Sequence, residues 1–138
     1  MRPQIITGLI LGALLAFPTC RAQTAPDPLT QQDYQAIANA GVPLDSKMVT
    51  ELTAVDRDKL KPIIANKPAG EIMKFLVTRS FIRRMRAAGP TWPDFNAIEI
   101  AEISRNFSFS YCYNFDEQRD AFTWLMHYDI TLSSSPQP

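Results

Sequence analysis

The sequence predicts an α+β fold in which three N-terminal helices pack on a C-terminal three-stranded antiparallel β-meander. Two observations carry that prediction. Met73, Val77, Phe81 and Met85 recur every fourth residue, which lines them along one side of a helix over 68–88. Between 106 and 132 the chain reads FSFSYCYNF, DEQRD and AFTWLMHYDITL, with an aromatic or apolar residue at every second position, the period of a strand. A third segment, NAIEIAEI over 96–103, alternates Ile98 and Ile100 with Glu99 and supplies the remaining strand. The alternative is an all-α chain, which follows if 94–115 is helical.

Residues 1–22 have the layout of a cleavable signal peptide: Arg2, an apolar stretch from Ile5 to Phe17, then Pro18 and the triplet Cys20, Arg21, Ala22. That stretch is shorter than the roughly 20 residues a membrane-spanning helix needs. The sequence therefore predicts a chain processed to begin at Gln23, periplasmic or secreted, and not an integral membrane protein. Lipidation at Cys20 is the alternative, with Phe17 and Thr19 where lipoprotein signals carry Leu and a small residue. Residues 23–29, with Pro26 and Pro28, read as a linker, 30–132 as a single domain, and 133–138 as a disordered tail.

Thr30 suits the N-cap of a first helix with Tyr34, Ile37 and Ala38 on one face, ended at Gly41. Asp45 or Ser46 can cap a second helix carrying Met48, Val49 and Leu52. Thr53 and Asp56 resemble a capping box and restart it, and Pro62 is expected to break or kink it near Lys61. The third helix begins at Pro68 and stops at Gly89 and Pro90, with Glu71 at its positive end and Arg83, Arg84 and Arg86 at its negative end. Thr91, Trp92 and Pro93 then cross to the sheet. A turn between Asp116 and Arg119 sets Tyr113 opposite Phe122, Tyr111 opposite Trp124, Phe109 opposite Met126 and Phe107 opposite Tyr128. Such pairs stabilise by roughly 0.2 to 1 kcal/mol each, and the resulting aromatic wall is expected to be core, covered by the third helix.

The full chain balances 14 basic against 14 acidic residues. Without Arg2 and Arg21 it is mildly acidic, which gives no reason to expect a nucleic-acid partner. Charge is uneven, however: nine basic residues fall in 57–86 against Asp58 and Glu71, and seven acidic ones in 94–129 against Arg105 and Arg119. Either the two regions neutralise each other within the fold, or Arg79, Arg83 and Arg86 form a face for an acidic partner.

One histidine and, after processing, one thiol limit the chemistry. Cys112 and His127 lie too far apart in the expected register for a nucleophile pair. Ser108, His127 and Asp129 share the quieter face of the ribbon but come with no nucleophile elbow or oxyanion donors. Glu99 and Glu102 point to opposite faces if their segment is a strand. No zinc-binding, phosphate-binding or dinucleotide-binding motif is present, so no catalytic residue, metal or cofactor is assigned. Asn106, Phe107 and Ser108 match a glycosylation triplet. No stretch matches a family motif.

The sequence thus leads to an exported, non-enzymatic protein-interaction module, such as an accessory subunit of an envelope assembly or an inhibitor or immunity-type protein. Its candidate contact residues are Arg79, Arg83, Arg86, Ser108, His127 and Asp129, and its expected partner is another exported protein, with an acidic patch if the arginines make the contact. The alternative is a small-molecule carrier with a pocket between the 68–88 helix and the aromatic sheet, lined by Phe81, Met85, Trp124 and Tyr111.

Overall fold

A computed structural model describes residues 27–132. The expected signal peptide, Cys20, the first part of the linker and the tail lie outside the described residues. Among those described there is no strand. The order is α1 (Gln31–Asn39), α2 (Lys47–Thr50), α3 (Ala54–Asn66), α4 (Ala69–Ala88), a 3-10 turn at Gly89–Thr91, α5 (Ala97–Asn106), a 3-10 turn at Phe109–Tyr111, and α6 (Phe115–His127). The α+β fold is therefore overturned, and the expected meander is replaced by two helices and a turn.

The reason lies in which residues face inward. In α6 the buried side chains are Glu117, Ala121 and Leu125, with Trp124 and Tyr128 packed beside them, a helical spacing. The alternation over 122–130 is a coincidence of the apolar residues on both sides of this helix: Phe122 and Met126 face out while Trp124 and Tyr128 face in. In α5, Ile103 is buried and Phe107 follows it into the core, while Ile98, taken for a strand residue, is exposed. Both helices carry a start signal that the alternation masked. The Asn96 side chain accepts from the Glu99 N–H while the Glu99 carboxylate accepts from the Asn96 N–H, and the Asn114 side chain accepts from the Glu117 N–H.

The 20-residue α4 is the axis of the molecule and packs against every other helix and both 3-10 turns. Five consecutive residues, Phe75 to Arg79, are buried, which no helix with a solvent face can manage. Its first half, from Ile72 to Leu76, joins Leu29, Ile37, Val42, Val49, Leu52, Leu60 and Ile63 in one core. Its second half, from Val77 to Met85, joins Ile103, Phe107, Ala121 and Leu125 in another. Leu29, at the end of the expected linker, belongs to the first core, and Asp27 accepts hydrogen bonds from its N–H and from the Tyr34 hydroxyl. Gly41 (φ 92°) and Gly89 (φ 56°) end α1 and α4 in the region glycine tolerates best. Pro62 does not break α3, which runs through it. The burial of Leu60 and Ile63 on either side holds the turn that the missing N–H weakens.

Candidate functional site

Four helices begin in the same way, and that shared start builds the polar centre of the fold. Thr30 and Asp33, Thr53 and Asp56, and Asn96 and Glu99 form reciprocal capping boxes, while Asn114 caps at Glu117. In each case the acidic residue at the third helical position also meets a cation from another helix. Lys61 reaches Asp33 at 2.7 Å, Arg84 reaches Glu99 at 2.7 Å, Arg83 reaches Asp56 at 3.0 Å, and Arg79 reaches Glu117 at 2.8 Å. A carboxylate at this position already suits the positive helix end. Here it also fixes where that helix docks.

Arg79 is the hub. Its guanidinium holds Glu117 through two hydrogen bonds, at 2.8 and 3.1 Å, and donates to the Tyr111 carbonyl at 3.0 Å. Its Nε stands 3.3 Å from Asp56 Oδ1. The Tyr113 ring covers its face at 3.4 Å, and the Tyr113 hydroxyl donates to Asp56 at 2.5 Å. The Tyr113 N–H in turn donates to Glu117 at 2.6 Å. Asp56, Arg79 and Glu117 are all buried, so two carboxylates face two arginines, buried Arg79 and half-buried Arg83, in a charge-balanced cluster.

This cluster fixes protonation states. Burial acts to raise the Asp56 pKa, but the Tyr113 hydroxyl, the Thr53 N–H and the two arginines outweigh it and hold the carboxyl below its ordinary range. Burial opposes Glu117 in the same way, and Arg79 and the Tyr113 N–H hold it low. Desolvation works against the Arg79 cation too, yet Glu117, Tyr113 and Asp56 keep its pKa raised. The charged forms are thus the favoured ones, and through them the cluster clamps α3, α4 and α6 together.

The expected contact residues are thereby distributed rather than assembled. Arg79 is buried in the clasp, Arg83 is half-buried against Asp56, and the exposed Arg86 lies 3.7 Å from Asp120. The basic 57–86 and acidic 94–129 regions meet within the fold through Arg79–Glu117, Arg84–Glu99 and Arg86–Asp120. Ser108 donates its N–H to Thr78 Oγ1 and shares a 2.6 Å hydroxyl bond with Ser110. His127, at the end of α6, stacks on Trp92 at 3.6 Å between ring centroids, and Asp129 sits in a left-handed turn beyond it (φ 56°). Among the described residues no contact joins Ser108 to His127. Burial pushes the Cys112 thiol up to about 11, with the Glu117 charge adding to the effect. That removes the thiolate a nucleophile needs. Glu99 and Glu102 are three apart on a helix, not across a strand, and Glu99 is taken by Arg84. No group of three or more metal-ligating side chains is gathered among the described residues.

The outer side of α6 is the part that sequence reasoning missed. Phe115, Phe122 and Met126 lie at i, i+7 and i+11, a spacing that stacks them in one stripe. They are 74%, 57% and 64% exposed. The signal was present in the sequence, since reading 115–127 as a helix puts these three residues opposite Glu117 and Trp124, which face inward. Beside the stripe Arg119 is held between Asp116 at 3.2 Å and Asp120 at 3.1 Å. No helix among the described residues is long and apolar enough to cross a membrane. Searches against protein-family models, curated proteins and solved structures find no match for the chain.

Proposed function

We propose that this is an exported, non-enzymatic protein-interaction module that docks through the outer face of α6 into an apolar groove of another exported protein. The observation that carries the reading is the Phe115, Phe122 and Met126 stripe. Large apolar side chains scattered singly on a surface are ordinary, but three aligned on one helix face are what a groove recognises. Aromatic residues and Met are also the types enriched at the centres of interfaces. The rim carries two carboxylates, Asp116 and Asp120, and two guanidiniums, Arg119 and Arg86, that pair with them, so the apolar stripe rather than net charge is expected to carry recognition. An acidic patch on the partner was expected from the arginine row, of which Arg79 and Arg83 pair inside the fold while Arg86 is exposed beside Asp120. Export rests on the signal-like layout of residues 1–22.

Two measurements test the reading. N-terminal sequencing of protein recovered from the producing cells should give Gln23 as the first residue, and an unprocessed chain retained in the cytoplasm would refute export. A photo-activated benzophenone side chain at position 122 should give one discrete adduct with a different exported protein. The adduct should disappear when Phe115→Glu and Met126→Glu are added, and it should not form from position 67. An adduct only with a second copy of the chain, or none at all, would overturn the docking proposal.

The carrier reading gains no support where it was placed. Among the described residues there is no sheet for helix 68–88 to face, and Phe81 and Met85 are buried, with Phe81 packed edge-on to Phe107 and Trp124.

A further inference from the structure

Away from the α6 stripe, a cleft of about 690 Å³ opens between α2, α4 and α5. That size lies in the range of small-molecule sites. Its apolar lining includes Met48, Phe81, Phe95 and Ile103. Arg83 also lines it, and this arginine leaves two buried donors unbonded where Arg79 leaves only its Nε, which still stands 3.3 Å from Asp56. Asp56 engages Nη1 at 3.0 Å. Both Nε and Nη2 are buried with no hydrogen-bond partner, and the closest acid to Nε, Glu51, stops at 4.0 Å. Leaving charged N–H donors buried and unbonded is costly, because they have given up water and gained nothing in return. The contrast extends to protonation. Burial lowers the Arg83 pKa despite Asp56 and Glu51, whereas the partners of Arg79 raise its own.

The other charges of the cleft do not remove this demand. Arg84 and Glu99 satisfy each other at 2.7 Å, and the Arg84 guanidinium lies over the Phe95 ring at 4.4 Å. Lys47 and Glu102 complete the charged lining, one of each sign. Glu51 is half-exposed, and Arg83 is its only ion-pair partner among the described residues. Its side chain can therefore leave for water without breaking a hydrogen bond, uncovering the Nε–Nη2 edge where a bidentate acceptor fits.

We propose that this cleft binds a small amphiphilic carboxylate, its acid group displacing Glu51 to reach Nε and Nη2 of Arg83 and its apolar body lying against Phe81, Phe95 and Met48. Glu51 occupies the anion position without filling it, so it acts as a loose internal competitor. The site does not depend on the α6 docking face, and neither proposal falls with the other.

Titration calorimetry on the full processed chain, with decanoate and decanol as probes, tests the proposal. Decanoate should bind about tenfold more tightly than decanol, the worth of a hydrogen bond to a charged group. Glu51→Gln should tighten decanoate binding and leave decanol unchanged. Arg83→Gln should erase the preference for the acid. Because Arg83→Gln also loses the Asp56 pair and could unfold the chain, Ser80→Trp provides a second variant that fills the cleft and keeps Arg83, and it should abolish binding of both probes. Equal affinity for acid and alcohol in the wild type overturns the proposal. So does undiminished binding in Ser80→Trp, or the absence of decanoate binding up to about 1 mM.

Discussion

Arg79 shows how a residue's local pattern can leave its partners open. A row of arginines on a helix is chemically suited to carboxylates, and Arg79 does hold two of them. The partners are Asp56 and Glu117, the second 38 residues away in sequence, so nothing local marks them as its own. What was legible was the opposite sign of the two regions, and it favoured internal neutralisation over an external partner. The cost of breaking the cluster follows from its burial. Arg79→Met would leave Asp56 and Glu117 facing each other out of water, and chemical denaturation should register a loss of about 3 to 5 kcal/mol. Arg84→Ala removes a pair more than one-third exposed on both sides, and should cost less than about 1 kcal/mol. Comparable losses from the two would show that Arg79 is no hub. The same carboxylates set the acid limit of the fold. Both folded pKa values lie below their unfolded ones, so their contribution is complete above the unfolded values and lost as pH falls through the folded ones. Melting temperature should hold near neutral pH and drop below about pH 4. Asp56→Asn should lower it at pH 7 and flatten the acid slope, and a slope unchanged by that substitution would assign acid sensitivity elsewhere.

At the scale of elements, the N-terminal half was readable because its signals agree. In the 68–88 segment the apolar period, the acid at the start, the cations at the end and the terminating Gly89 all indicate one helix, found at Ala69–Ala88. In the C-terminal half they conflict. Aromatic and β-branched residues at alternate positions favour a strand, while Asn96 with Glu99 and Asn114 with Glu117 mark helix starts. Burial decides between them. Two helices give Ile103, Phe107, Ala121 and Leu125 the second half of α4 to pack on. The caps should therefore be measurable. Asn114→Ala is expected to cost about 1 kcal/mol and to reduce helical circular dichroism, and a neutral result would remove the cap from the account of α6. Pro62 offers the converse. It interrupts the hydrogen bonding of α3 without ending the helix, so Pro62→Ala should stabilise the chain by about 1 to 3 kcal/mol after the unfolded chain regains some freedom. A lower melting temperature would mean that the proline ring packs usefully where it stands.

For the whole molecule the arrangement of α4 sets the cooperativity. Its two halves belong to two apolar cores, the first built with α1 to α3 and the second with α5 and α6. Left to themselves, such halves could melt separately. One continuous helix and the Asp56–Arg79–Glu117 clasp join them at their boundary, where Leu76 and Val77 fall to different cores. Unfolding either half strips the apolar covering from half of α4 and opens a buried ion cluster, so a half-folded state is costly on both counts. The chain also carries a way to observe this. Its two tryptophans, Trp92 and Trp124, both pack on the second core, so their fluorescence follows that half while far-ultraviolet circular dichroism follows all the helices. Leu76→Ala opens a cavity in the first core only and should cost about 2 to 5 kcal/mol. If α4 and the clasp couple the cores, fluorescence and circular dichroism should shift together to one lower midpoint, as a two-state transition requires. If instead the tryptophan signal keeps its wild-type midpoint while part of the circular dichroism melts early, the cores are independent and the clasp does not bind them into one unit.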